Sequence, residues 1–405
     1  MLKLRPAIVL ESDVPAPGDS DALTARAAAG REQRLLVGLT GAGREQEPRA
    51  AIADVTLVGR AEVGDEVIVN VQALDLGLGS GGFDVVHVNL TRGLSGDGVP
   101  GAHVMKLNYT SLQHAVEPVD DQDLDVPLGR PVAVLALHGQ LAAVAWAFAQ
   151  RHPAGRLGYV QTAGGALPGG HSQTVARLRE RELLAGQITA GPAFGGEAEA
   201  VTTAGALHHG LRTLGWDAAV CGPGPGIIGS GSSLGHGGMA ALDSAHVSLA
   251  LGCPTLLVAR MSSSEERPRH RAISHHTLTV LDLLLEPVTV ALPAGMRSPV
   301  GTDLRAGLGA IFGAGDSDRA PIVGLDVARP ARITRHDWRR AAVDLPAYAA
   351  SGLSAETIAR GPAEDPLFFG AALAGGSALA QLLGAAQPQE QEGERAVGAG
   401  EREDA

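Results

Sequence analysis

Along the first third of the chain, apolar residues come in short runs broken by Gly and Asp. The runs are RLLVGLT (34–40), AAIADVTLV (50–58), DEVIVNVQAL (65–74), FDVVHVNL (83–90) and HVMKLNYTSL (103–112). Their length and their content of Val, Ile, Leu and Thr predict strands. Short strands at this spacing predict a small β-barrel or sandwich over residues 1–125. GLGSGGFD (77–84) reads as a bulge or a flexible turn, and the acidic, Pro-bounded EPVDDQDLDVPLGRP (117–131) as a linker.

The texture then changes. PVAVLAL (131–137), RLGYVQT (156–162), GQITAGP (186–192), DAAVCG (217–222), PTLLVARMS (254–262) and EPVTVAL (286–292) are unbroken apolar runs. Helix-like stretches separate them: QLAAVAWAFAQRH, SQTVARLRERELL, a helix ending near HHGLRTLG, GMAALDSAHVSLAL and HHTLTVLDLLL. Continuous apolar strands are what burial on both faces requires. Alternation with helices predicts a doubly wound, mostly parallel αβα sheet over 126–292, Rossmann-like in kind. Residues 293–384 read as a mixed, mostly helical extension packed on that sheet, and the low-complexity acidic residues 385–405 as a disordered tail. The fold class is α/β.

In an open parallel sheet, ligands bind beyond the carboxyl ends of the strands, where strand order reverses. Here five consecutive strand-to-helix connections carry Gly, His or small hydroxyl residues, while opposite connections such as RHPAG and RTLGW look ordinary. Eight of the seventeen residues in 222–238 (GPGPGIIGSGSSLGHGG) are glycine. Three glycine pairs or clusters stand just before expected helices: Gly169-Gly170, Gly195-Gly196 and 235–238. Unpaired N–H groups and the helix dipole favour an anion at such places. Ser172 reads equally as a helix cap or a ligand contact, and Glu197 as a first-turn carboxylate or a general base.

Within the glycine loop, Gly224, Gly226 and Gly229 match GxGxxG, but no helix is expected to open there, so a dinucleotide site is a weak reading. Ser233 in GSSLG matches GxSxG, with His275 or His276 and Glu265 as partners, yet it lies a dozen residues past its strand, so a serine hydrolase is the lesser reading. Gly231, Ser230, Ser232 and Gly235 are the other ligand candidates of this loop.

The polar loop 260–276 concentrates Arg260, Arg267, Arg269, His270 and Arg271, which predicts a pocket for phosphate or carboxylate. The bland alternative is a solvated loop whose arginines pair with Glu265, Glu266 or surface acids. His138, His171, His236 and His275 are the candidate proton-handling groups, all placed at one sheet edge. His275 and His276 are adjacent on a helix, so one of them at most is expected to face the pocket. His208 and His209 read as surface residues. No regular ligand spacing assigns a metal, and no cofactor is assigned.

Composition narrows the function further. The net charge of −12 argues against general affinity for nucleic acid or an anionic membrane. Two cysteines, Cys221 and Cys253, without a CxxC pair fit a reducing cytoplasm. MLKLRPAIVLESD is too short an apolar run for a signal peptide, and the most apolar window is broken by His138, Gly139 and Gln140. Only Lys3 and Lys106 are lysines, a bias that a GC-rich genome also explains.

GSGGFDVVHVNLT, HVMKLNYTSLQ, GGALPGGHSQTV, GPAFGGEAEAV, GPGPGIIGSGSSLGHGG, RMSSSEERPRHRAISHHT, DLPAYAASGL and DPLFFGAAL together resemble a bacterial family known as domain of unknown function 3866. The resemblance runs from about residue 63 to 376 and implies no activity, so no site residue comes with it. The expectation from the residues themselves is a cytoplasmic enzyme acting on a small anionic metabolite, phosphorylated or carboxylated. Its rival is a metabolite-binding regulator whose N-terminal β-domain docks a partner. A homo-oligomer is compatible with either.

Overall fold

The computed structural model describes residues 1–14, 31–41, 48–77, 82–96, 98–121, 123–165, 168–294, 296, 329–353 and 360–400, without the side chains of 330 and 386–400. Residues 78–81 of the 77–84 turn, residues 354–359 of an expected helix and the last five residues of the tail therefore lie outside the described residues. The chain divides into two units, 1–117 and 118–405.

In the first unit, β1 (Leu4–Ser12), β2 (Glu32–Leu39), β3 (Arg49–Asp54), β4 (Glu66–Asn70) and β5 (Asp84–Asn89) close into a barrel in the order β1-β2-β3-β5-β4. All neighbours are antiparallel except β3 and β5. The run 50–58 is strand only to Asp54, whose carboxylate accepts from Thr56 N and starts a one-turn helix, α1 (Val55–Val58). The run 65–74 likewise ends in α2 (Gln72–Asp75). The interior is Val9, Leu35, Val37, Ala51, Ala53, Val67, Val69 and Val86, small side chains that suit a narrow barrel. On the outside, Arg49 makes a bidentate pair with Asp84 (2.7 and 2.9 Å) and reaches Asp75 (2.8 Å). The run 103–112 is mostly turn: only β6 (Val104–Lys106) is strand, in a hairpin with β7 (His114–Val116), because Leu107 and Tyr109 take left-handed φ of 54° and 63°.

The second unit is a three-layer α/β structure. Six of its eight strands are the six apolar runs: β8 (Val132–Val134), β9 (Leu157–Thr162), β10 (Gly186–Ala190), β12 (Ala218–Pro223), β13 (Thr255–Val258) and β16 (Thr289–Pro293). Two polar edge strands, β11 (Ala198–Ala200) and β17 (Asp337–Ala341), complete the order β11-β10-β9-β12-β8-β13-β16-β17, with every pair parallel. β14 (Met261–Ser262) and β15 (Ala272–Ile273) form a separate antiparallel pair at the base of the polar loop.

Successive strand residues feed opposite faces. Val132 and Val134 join a core with α5 (Thr203–His208), α6 (Ala240–Ala250) and α7 (His275–Leu283). Ala133 and Leu135 join a second core with α3 (Leu141–Arg151), α4 (Gln173–Glu180) and the long C-terminal α10 (Pro366–Gly400). Gly376 lets α10 lie directly on α3, since a Cβ there would run into Val144 O. By length and composition the stretch 366–385 could cross a membrane, and in this fold it is a mostly buried core helix.

The extension after 293 supplies a sheet strand as well as helices, α8 (Pro330–Thr334), α9 (Leu345–Ala350) and α10. Two expectations change. The expected linker is bonded into the second unit: Val119 N donates to Glu199 O, and Asp120 accepts from Val201 N. Its Asp121 holds His208 and His209 (2.8 and 3.0 Å), so His208 is buried rather than a surface residue.

Candidate functional site

The crossover from β8 runs through α3 on one face toward β9. The crossover from β12 runs through α6 on the other face toward β13. β8 and β12 are neighbours, so their carboxyl ends flank the point where connections diverge, the expected position of a binding crevice. Four loops meet there: 135–140 after β8, 163–172 after β9, 224–238 after β12 and 259–274 after β13.

Much of the glycine at this edge serves loop-on-loop packing. A Cβ on Gly164 would strike Gly237 O, one on Gly237 would strike Gly164 O, and one on Gly165 would strike Gly224 O. The loop after β12 folds back on itself through a bridge between Gly229 and His236. Its exposed tip is held by Ser230 N to Gly235 O (2.6 Å), Gly235 N to Ser232 Oγ (2.8 Å) and a contact between the Ser230 and Ser232 hydroxyls (3.1 Å). Gly226 and Gly231 take φ of 76° and 85°, which other residues rarely adopt. No helix opens at Gly229, in keeping with a weak GxGxxG match. Ser233 meets His236 through its carbonyl, not its hydroxyl.

The histidines separate into two groups. His138, after β8, is buried with both nitrogens engaged: Nδ1 with Tyr159 Oη (3.3 Å) and Nε2 with Ser172 Oγ (2.8 Å). Tyr159 donates to the carbonyls of Gly222 and Pro223 (3.2 and 2.9 Å), so it accepts from His138 Nδ1–H, and Ser172 donates to Nε2. Ser172 also caps α4 by accepting from Val175 N (3.1 Å), joining the two roles read for it. Burial pushes His138 down to about 4. Gly170 and His171 lie on the single turn just before Ser172.

The second group gathers His236, His270, His275 and His276. The rings of His236 and His276 stack with centroids 3.5 Å apart and planes 10° from parallel, and His275 lies edge-on, 5.5 Å from His236 and 4.5 Å from His276. Both adjacent histidines thus face the cluster, against the expectation of one at most. Ser274 caps α7, accepting from His276 N, so the two open the first turn and His236 meets the helix end-on. His270 joins at 4.8–4.9 Å, its Nδ1 bonded to Ser274 Oγ. His236 Nε2–H donates to Ser233 O (3.0 Å), which leaves Nδ1 as the lone-pair nitrogen. That Nδ1 and His275 Nε2 are buried without a hydrogen-bond partner among the described residues. Burial, then the neighbouring positive groups, lowers His275 to about 4 and His276 to about 2, so the imidazoles are neutral near pH 7.

The arginines of the polar loop have unequal freedom. Arg267 is paired bidentately with Glu265 (both 2.9 Å), which holds that carboxyl down at about 2. Arg271 donates to the carbonyls of Glu265 and Glu266. Arg260 is buried and donates from Nη1 to His276 Nδ1 (2.7 Å); desolvation lowers it to about 10. Arg269 is exposed, makes no ion pair among the described residues, and its guanidinium lies over Gly231.

The loop is anchored by two groups that the sequence reading missed: Arg360 on Glu265 (3.3 Å), and Asp365, which accepts from Ser262 Oγ (2.5 Å) and Ser263 N (2.7 Å). Asp365 stands just before the apolar run of α10, a start-of-helix position that could have drawn notice. Tyr159 was also missed, although it is the one phenol inside an apolar strand.

The connection after β10 is tied to the loop after β9 by a bridge between Pro168 and Phe194 and by Gly169 N donating to Phe194 O (2.6 Å). Gly195 N donates to Glu199 (2.5 Å) and Gly196 N to Thr189 Oγ1 (3.2 Å), and β11 rather than a helix follows them. Those amides are spent internally. Glu197 is exposed and pairs with Arg179 (2.5 Å).

No curated protein and no solved structure matches this chain. A family model described as "Protein of unknown function (DUF3866)" matches residues 50–376. That span covers the greater part of the chain, including β8 to β17 and every candidate residue above, and the chain belongs to that family.

Proposed function

We propose that this protein is an enzyme acting on a small anionic metabolite, phosphorylated or carboxylated, bound at the carboxyl edge of β8, β12 and β13. One observation carries the reading: Arg269, a cation without a carboxylate partner among the described residues, lies against the exposed Ser230–Gly235 turn, close enough to depress His275. An arginine beside exposed hydroxyls and backbone amides suits a phosphate or carboxylate. His236 and His275, neutral with open nitrogens, are the groups to take or pass a proton. Arg267 and Arg271 hold the loop in shape, and the anion falls to Arg269.

The test is a thermal-shift screen of chelator-treated protein against nucleotides, sugar phosphates and dicarboxylates, run beside Arg269→Ala and Arg267→Ala. A ligand at a hundred times its Kd adds roughly 2.7 kcal/mol of stability. Wild type and Arg267→Ala should show the shift and Arg269→Ala should largely lose it. No stabilisation of wild type, or an equal response in Arg269→Ala, would sink the reading.

A further inference from the structure

The geometry points to a divalent metal site formed by His236, His275 and His276, one for a borderline ion of the zinc type. It goes beyond the anion reading and rests on the imidazoles alone.

The three side chains each offer a ligand nitrogen, and these lie within 4.8 Å of one another. Imidazole is a preferred donor for zinc and its neighbours, and three imidazoles with an open fourth position form a familiar ligand set. Tetrahedral coordination at 2.0–2.1 Å needs ligand atoms about 3.3 Å apart, so the rings must close by up to about 1.5 Å around the ion.

Two features set this cluster apart from ordinary core histidines. A buried nitrogen normally finds a partner, yet His236 Nδ1 and His275 Nε2 have none among the described residues, and His236 as a whole is only 7% exposed. His236 is also oriented as ligand histidines are, with its far N–H on a backbone carbonyl, that of Ser233. Gly238 keeps the space beside the lone pair clear: a Cβ there would lie 3.0 Å from His236 Nδ1.

His276 is the third ligand. Its Nδ1 accepts from Arg260, so in the neutral ring the proton sits on Nε2. For an ion to bind at Nε2 the ring takes its other neutral tautomer, with the proton on Nδ1, and Arg260 gives up its hydrogen bond there. The positive charge of Arg260 works against a cation, and the nearby carboxylates of Glu265 and Asp365 are already matched by Arg267 and Arg360, so the ion must bind against that charge.

The test uses the untagged full chain, stripped with chelator and dialysed into a buffer free of phosphate and carboxylate. Co²⁺ is titrated by visible absorption and Zn²⁺ by competition with a chromophoric chelator. Expected is one ion per chain with a tetrahedral-type Co²⁺ spectrum. His236→Ala and His275→Ala should weaken binding by at least about 100-fold, the upper end of what loss of an outer-shell partner costs. His103→Ala, an exposed histidine of the first unit, should bind as wild type.

Because His236→Ala also removes the hydrogen bond to Ser233 O, half-buried His275→Gln serves as a second variant. X-ray absorption on the Zn²⁺-loaded wild type should count three imidazoles whatever the variants do. No binding by wild type, binding unchanged in both His275 variants, or a shell of oxygen donors would overturn the proposal. Arg269→Ala should keep the metal while losing any response to anions, so a failure of the metal site and a failure of the anion reading give different results.

Discussion

Two histidine sites share one sheet edge, and they differ in how their nitrogens are spent. At His138 both nitrogens are engaged, the tyrosine behind it is anchored to two carbonyls, and the serine in front of it caps a helix. At His236 and His275 one nitrogen each has no partner among the described residues, in a place where burial makes that costly. A closed network pins the ends of β8, β9 and β12 together and contributes to stability. An open one gives up stability in return for room to bind. On the proposed reading the first site is structural and the second functional, although the sequence presents their histidines alike.

The largest expected effect that would test this contrast is on pH dependence. His138 is pushed from 6.5 to about 4 in the folded chain, so the unfolded chain takes up the proton first as pH falls. Its stabilising contribution is complete above about 6.5, is lost progressively down to about 4, and levels off below. The total is about 3 kcal/mol at 1.36 kcal/mol per unit. Denaturant unfolding at pH 7, 5.5 and 4 should show wild type losing about that much more stability than His138→Gln. Equal losses would mean that His138 is not held neutral by burial.

Next in size is Tyr159→Phe. It strips the acceptor from His138 Nδ1 and the donor from two buried carbonyls, and should cost about 2–3 kcal/mol at pH 7 with no change in metal or anion binding. Ser172→Ala loses a cap and a buried hydroxyl partner together, for about 2 kcal/mol by the same unfolding measurement. If either variant instead abolished binding while folding normally, the closed network would belong to the site. At the small end, His275→Gln should stay within about 0.5 kcal/mol of wild type in stability. It should still lose the Co²⁺ spectrum. A large loss of stability there would make the open site structural as well.

Some of this was readable from residues alone, for clear reasons. The six unbroken apolar runs became the six interior strands because burial on both faces leaves no position for a polar side chain. β11 (AEA) and β17 (DWRRA) were not legible, since an edge strand is wetted on one side and carries the polar residues of a loop. Ser172 before α4 and Ser274 before α7 follow from local capping chemistry, within reach of a few residues. The gathering of Gly, His and Arg on one side of the sheet was also visible, because strand direction in a parallel sheet sorts the loops into two edges.

Sequence by itself therefore determined the layers, the strand direction and the edge at which chemistry would sit, all of which depend on period and local composition. Tertiary structure decided the pairings. It placed β12 between β9 and β8, anchored Glu265 on Arg360, and set Gly164 against Gly237. It also sent His138 to Tyr159 and Ser172 while stacking His236 on His276. Partners tens of residues apart leave no periodic trace along the chain. Whether a buried nitrogen is satisfied depends on the few ångströms around it, which only the folded arrangement fixes.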